Sequence, residues 1–112
     1  MKYALLIYEL PGARDGASQE ERDRIYAEYM TLAEDSRCLG GAQLAPVQTA
    51  TTVRVQNGTA LTTDGPFADT KEVFGGYFVF EAGDLDEALE LAGRVPAARF
   101  GGSVEVRPVV ER

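Results

Sequence analysis

The chain has no histidine, and its only cysteine is Cys38. The first absence excludes an imidazole base, Ser-His-Asp and Cys-His arrangements, and His-ligated metals. The second excludes an internal disulfide, a thiolate zinc site and a CxxC redox pair. Basic residues are also scarce. Eleven Lys and Arg, scattered along the chain, stand against eighteen Asp and Glu for a net charge of -7. Clustered phosphate contacts are therefore missing, and nucleic acid is not expected as a partner. No apolar run approaches the roughly 20 residues of a membrane span. The run over residues 2–8 is too short for a signal peptide and lacks a small-residue cleavage site, so it reads as a strand in a cytoplasmic protein. Gly75-Gly76 and Gly101-Gly102 lack the spacing and the strand-loop-helix context of a nucleotide-binding loop, and no cofactor is implied.

What remains is an ordinary globular composition, 45% hydrophobic and 26% charged over 112 residues, long enough for one domain with a real core. Residues 2–9 form a strand apolar on both faces, Tyr3, Leu5 and Ile7 against Ala4, Leu6 and Tyr8. A loop over 10–17 leads to a helix capped by Ser18 with Glu21 three residues on. Ile25, Tyr29, Leu32 and Leu39 recur at helical spacing, and Gly40-Gly41 ends the helix. Residues 42–50 are irregular around Pro46, with brief pairing possible at 42–44. Asn57-Gly58 joins residues 51–56 and 59–63 in a type I′ hairpin, placing Val55 opposite Ala60 and Arg54 opposite Leu61. Residues 76–82 make a second strand apolar on both faces. Asp84 caps a second helix, with Glu87 three residues on, whose buried stripe is Leu85, Ala88, Leu89 and Ala92 and which stops at Pro96. Residues 103–109 close the chain with Val104 and Val106 on one face and Glu105 and Arg107 on the other.

This order predicts an α+β, ferredoxin-like βαββαβ plan with an inserted hairpin. Two helices cover one face of such a sheet, yet two of its strands are apolar on both. At roughly 25 cal/mol per Å² an open second face forgoes several kcal/mol, so a homodimer packed sheet to sheet is expected. The competing arrangement is a monomer in which the hairpin and the 10–17 loop fold over that face.

Residues 62–77, TTDGPFADTKEVFGGY, hold the densest turn chemistry and the highest local concentration of ionisable groups beside an apolar strand. Asp64 is the first candidate general base, its pKa to be raised by desolvation. Its competing role, which the turn context favours, is to bond backbone N–H groups of its own loop. Glu72 and Lys71 are either an acid-base group with an anion clamp or an exposed ion pair. Arg107 either holds a substrate carboxylate or joins Glu105 in a salt bridge. Tyr8 and Tyr77 read as core aromatics whose hydroxyls reach the edge of a pocket. An oxygen-only metal site from Asp64, Asp69 and Glu72 matches no ligand-loop spacing.

Thr63-Asp64-Gly65-Pro66-Phe67, Gly75-Gly76-Tyr77, the helix start Asp84-Leu85-Asp86-Glu87-Ala88 and the closing Gly102-Ser103-Val104-Glu105-Val106-Arg107-Pro108 together resemble YCII-related proteins of the DGPF subgroup. That resemblance, over nearly the whole chain, implies a dimeric α-β barrel fold, similar to muconolactone isomerase and the cofactor-free monooxygenases, with a cavity between sheet and helices. It also implies a bacterial setting near extracytoplasmic-function sigma factors. Relatives of suspected activity carry a His paired with an Asp, and that dyad cannot operate here. Two functions are compatible with the residues. One is a small-molecule enzyme acting on a small carboxylated or aromatic compound, with Asp64 as base and Arg107 as anchor. The other is a non-catalytic ligand-binding or interaction module, an accessory to a transcription regulator.

Overall fold

A computed structural model describes residues 1–66 and 70–112. Its elements are β1 (Lys2–Glu9), α1 (Gln19–Ala33), β2 (Cys38–Gln43), β3 (Thr51–Gln56), β4 (Thr59–Asp64), β5 (Val73–Glu81), α2 (Leu85–Gly93) and β6 (Ser103–Pro108), with short 3-10 turns at Val47–Thr49 and Pro96–Arg99. The helices start where their caps dictate. Ser18 Oγ accepts from the Glu21 N–H at 3.1 Å, and Asp84 Oδ1 from the Glu87 N–H at 2.9 Å. Glu87 returns the favour one residue upstream, accepting from the Gly83 N–H at 2.8 Å.

Four strands form an antiparallel sheet in the order β2-β5-β1-β6. This is the ferredoxin-like order, the protomer fold of the dimeric α-β barrel proteins, and it meets the expectation. Tyr3, Leu5 and Ile7 of β1 lie opposite Phe80, Phe78 and Gly76 of β5 and face the helices. Phe80, Leu5 and Leu91 are fully buried there, joined by Leu32, Ala88, Ala92 and Val95. Asn57 (φ 51°) and Gly58 (φ 76°) make the expected turn between β3 and β4, with Val55 opposite Ala60 and Arg54 opposite Leu61.

Three local expectations are corrected. The first helix ends at Ala33, and Cys38–Gln43, Leu39 included, is strand β2. Gly41 is glycine because a β-carbon there would stand 2.4 Å from the Tyr77 carbonyl oxygen: the glycines admit a close strand, not a helix stop. In α2 the buried stripe is Ala88, Leu91 and Ala92, whereas Leu85 and Leu89 are half exposed. That helix stops at Gly93, and Pro96 instead opens the buried 3-10 turn.

The other face of the sheet carries Ala4, Leu6, Tyr8, Phe74, Tyr77 and Val79, with Glu105 opposite Leu6 and Arg107 opposite Ala4 at the β6 edge. The hairpin does not cover it, since Val53 and Val55 remain 61% and 68% exposed. The radius of gyration, 15.9 Å, exceeds the roughly 13 Å of a compact chain this long, as a projecting two-stranded arm requires. No helix among the described residues is long and apolar enough to cross a membrane.

Candidate functional site

The first polar side chain to continue the buried face of β1 is Glu9, two residues beyond Ile7. It lies at the end of a cleft of about 320 Å³ between α1 and the sheet, whose walls include Ile7, Met30, Phe78 and the ring of Tyr26. The cleft exists because Gly41, Gly75 and Gly76 leave its floor without side chains. Gly75 in particular sits beneath the acid, since a β-carbon there would be 2.8 Å from the Glu9 carboxylate carbon.

Arg14, from the loop between β1 and α1, approaches Glu9 at 3.9 Å, with each side chain about one third exposed. Both residues also border a second, smaller cleft of about 180 Å³, so the pair stands as a partition between the two. Tyr29, from the inner stripe of α1, completes the group. Its hydroxyl is buried and, among the described residues, has no hydrogen-bond partner within the usual geometry, although the Ala97 backbone is near enough to draw its pKa down. Burial, reinforced by the Glu9 charge, holds the phenol pKa above its ordinary value. An unsatisfied buried hydroxyl costs about 1–3 kcal/mol. A carboxylate and a guanidinium on one apolar cleft can move a proton and hold the oxyanion that its removal creates. Among the described residues no group of three or more His, Cys, Asp or Glu side chains is gathered to hold a metal.

Of the residues singled out from sequence, all but Tyr77 lie away from this cleft. Tyr8, Tyr77 and Arg107 share the open face of the sheet, with Tyr8 tilted against Phe74 at 5.5 Å between ring centroids. Tyr77 also borders the α1 cleft. Asp64 ends β4 opposite Thr51 and is exposed. Lys71 is exposed and Glu72 half-buried on the approach to β5, where Thr70 Oγ1 donates to the Glu72 carbonyl. A cleft of about 640 Å³ opens on this side between Tyr8, Phe74, Pro46 and Thr52. Phe67 and Asp69 lie outside the described residues. Sequence reasoning missed Glu9, Arg14 and Tyr29. One signal was available for Glu9: it carries a charge at the parity of Tyr3, Leu5 and Ile7. Arg14 had none, since only the fold of its loop brings it to the cleft.

Comparison with known proteins bears on the fold and its relatives. A model of the YCII-related domain matches residues 1–112. The uncharacterized protein R00369 of Rhizobium meliloti (strain 1021) is 34% identical over 114 residues, covering 97% of this chain and 92% of the relative. Among solved structures, 5-chloro-2-hydroxyhydroquinone dehydrochlorinase (TftG) from Burkholderia phenoliruptrix AC1100, in complex with 2,5-dihydroxybenzoquinone, superposes with a TM-score of 0.56 at 18% identity. The match covers 100% of this chain and 96% of that one.

Proposed function

The chain belongs to the YCII-related family, and on that premise we propose that it is a cytoplasmic small-molecule enzyme. Its α1 cleft would bind a phenolic or enolisable compound whose proton Glu9 moves. The observation that carries this reading is the pairing of Glu9 and Arg14, 3.9 Å apart, on one apolar cleft that the Tyr29 side chain also lines.

The Glu9 carboxylate takes a proton from the O–H or from a C–H beside a carbonyl of the substrate. The electron pair released moves onto the substrate oxygen, which Arg14 holds as an oxyanion. Return of the proton to a different carbon gives isomerisation. Departure of a leaving group as its anion, with the pair forming the new double bond, gives elimination. Neither needs an oxidant or a cofactor. The structural relative is named for dehydrochlorination and holds a dihydroxybenzoquinone, which supports a ring-sized substrate and the second outcome.

A second copy packed on the open sheet face is part of the proposal, supported by the apolar Leu6, Val79, Tyr77 and Tyr8 on that face. The 640 Å³ cleft beside Tyr8 supports a subsidiary reading in which dimerisation encloses it. Asp64 and Glu72 would then act as acid-base groups, and Tyr8, Tyr77, Lys71 and Arg107 as ligand contacts. Turnover of halogenated hydroxyhydroquinones and hydroxyquinones, followed by ultraviolet absorbance, separates the two. Glu9→Gln is expected to lower kcat by about 10²-fold or more, with Asp64→Asn near wild type. The reverse pattern moves the chemistry to the open-face cleft, turnover surviving both substitutions removes both bases, and absence of turnover with any of these compounds leaves a ligand-binding module.

A further inference from the structure

The geometry points to Arg14 as the residue that selects the ligand, and to a small organic monoanion with an apolar body as the class selected; this rests on the reading of the α1 cleft above. Two arginines of this fold make the contrast. Every nitrogen of the Arg37 guanidinium is engaged: it donates two hydrogen bonds from its side chain to Asp35 and one to Glu87, at 2.8 to 2.9 Å. Arg14 meets Glu9 only at 3.9 Å, and among the described residues its guanidinium donates no hydrogen bond. A planar fork of five N–H donors is left available at the edge of an apolar cleft, the geometry that a carboxylate or phenolate accepts in bidentate fashion.

The surroundings narrow the class. Ile7, Met30 and Phe78 offer apolar wall, and about 320 Å³ is at the lower end of ligand pockets, room for one ring. Glu9 stands beside the guanidinium, so one further negative charge finds a partner and a second meets repulsion. Glu9 and a bound anion compete for the same guanidinium. An anionic ligand therefore draws Arg14 off the partition and leaves the Glu9 carboxylate directed at the ligand, so the base is released by the charge it is meant to act beside. Arg14 is in this sense a specificity-determining residue.

The competition makes opposite predictions for the two members of the pair. Binding of 4-hydroxybenzoate, its neutral amide and the dianion phthalate is measured by calorimetry or ligand-observed NMR at neutral pH on the full chain and on Arg14→Gln, Arg14→Lys and Glu9→Gln. The benzoate is expected to bind about tenfold or more tightly than the amide and the dianion, and Arg14→Gln to abolish that preference. Arg14→Lys keeps part of it, which covers the case in which the glutamine variant fails to fold. Glu9→Gln is expected to tighten the benzoate a few-fold, the scale of a partly exposed ion pair. Equal binding of acid and amide, a preference that survives Arg14→Gln, weaker binding in Glu9→Gln, or no binding of any probe overturns the inference. Binding selectivity and turnover are separate readouts. Lost selectivity with turnover still dependent on Glu9 removes this inference alone, and selectivity with turnover indifferent to Glu9 removes Glu9 as the base instead.

Discussion

Glu9 lies across the β5 strand in the space that a side chain on Gly75 would take: a β-carbon on that glycine would be 2.8 Å from the Glu9 carboxylate carbon and 3.0 Å from its nearer oxygen. Its neighbour Gly76 is glycine for another reason, because a β-carbon there would press on the Ala42 carbonyl oxygen at 2.6 Å. One glycine admits an acid and the other admits a strand. Gly75→Ala should therefore leave the fold standing, since only the end of a flexible side chain must move, and should reduce turnover and ligand affinity by displacing Glu9. Gly41→Ala meets backbone at 2.4 Å and should destabilise by about 1–3 kcal/mol or more. Urea unfolding beside a ligand titration distinguishes these outcomes.

Tyr29→Phe removes a buried hydroxyl that has no hydrogen-bond partner among the described residues. Stability should stay level or rise by up to ~1 kcal/mol, while ligand affinity stays near wild type. Thermal denaturation with and without ligand measures both. A loss of stability in the unliganded variant would mean that the hydroxyl is bonded within the protein.

The helix side of the sheet should dominate the stability of the protein. Phe80 is fully buried, and Phe80→Ala should cost about 3–5 kcal/mol. Leu89 is half exposed on α2, and Leu89→Ala should stay within about 0.5 kcal/mol. Chemical denaturation of the two variants gives the comparison, and a large effect at Leu89 would mean that a further surface covers it.

Acid should loosen the joint between the end of α1 and the start of α2. Hydrogen bonds from the Arg37 side chain hold the Asp35 carboxyl far below its ordinary 3.8. The Gly83 N–H and then Arg37 lower that of Glu87 from its ordinary 4.5. Both folded-state values are depressed, so the stability they contribute is present above the ordinary values and is lost as pH falls through the folded ones. The stability gap between wild type and Arg37→Gln should be level near neutrality and narrow as pH falls below 4.5 and then 3.8. Urea midpoints across that range provide the test; a gap that widens toward acid would contradict the assignment.

The open face predicts an assembly. Light scattering should give twice the chain mass, and Leu6→Asp, opposite Tyr77 at the centre of that face, should give the single-chain mass with the helical signal retained. A wild-type monomer at micromolar concentration would remove the second copy from the proposal.

Elements whose reason is local were legible in the chain. Ser18 and Asp84 set the helix starts through their own side chains, Asn57-Gly58 set the hairpin and its register, and alternation set the faces of β1 and β5. The candidate site was not, because Glu9, Arg14 and Tyr29 come from a strand end, a loop and a helix that meet only when the sheet packs under α1. Gly40-Gly41 misled for the same reason: a glycine pair that stops a helix and one that lets two strands approach read alike until the neighbour is known.

The amino-acid order alone determined where helices begin, which residues alternate into a core, the absence of imidazole chemistry, and the family to which the chain belongs. Tertiary packing decided which polar groups share a cleft and which charged side chains are saturated. Local preferences act within a few residues along the backbone, whereas the environment of a carboxylate or a phenol is made by atoms distant in the chain and close in space.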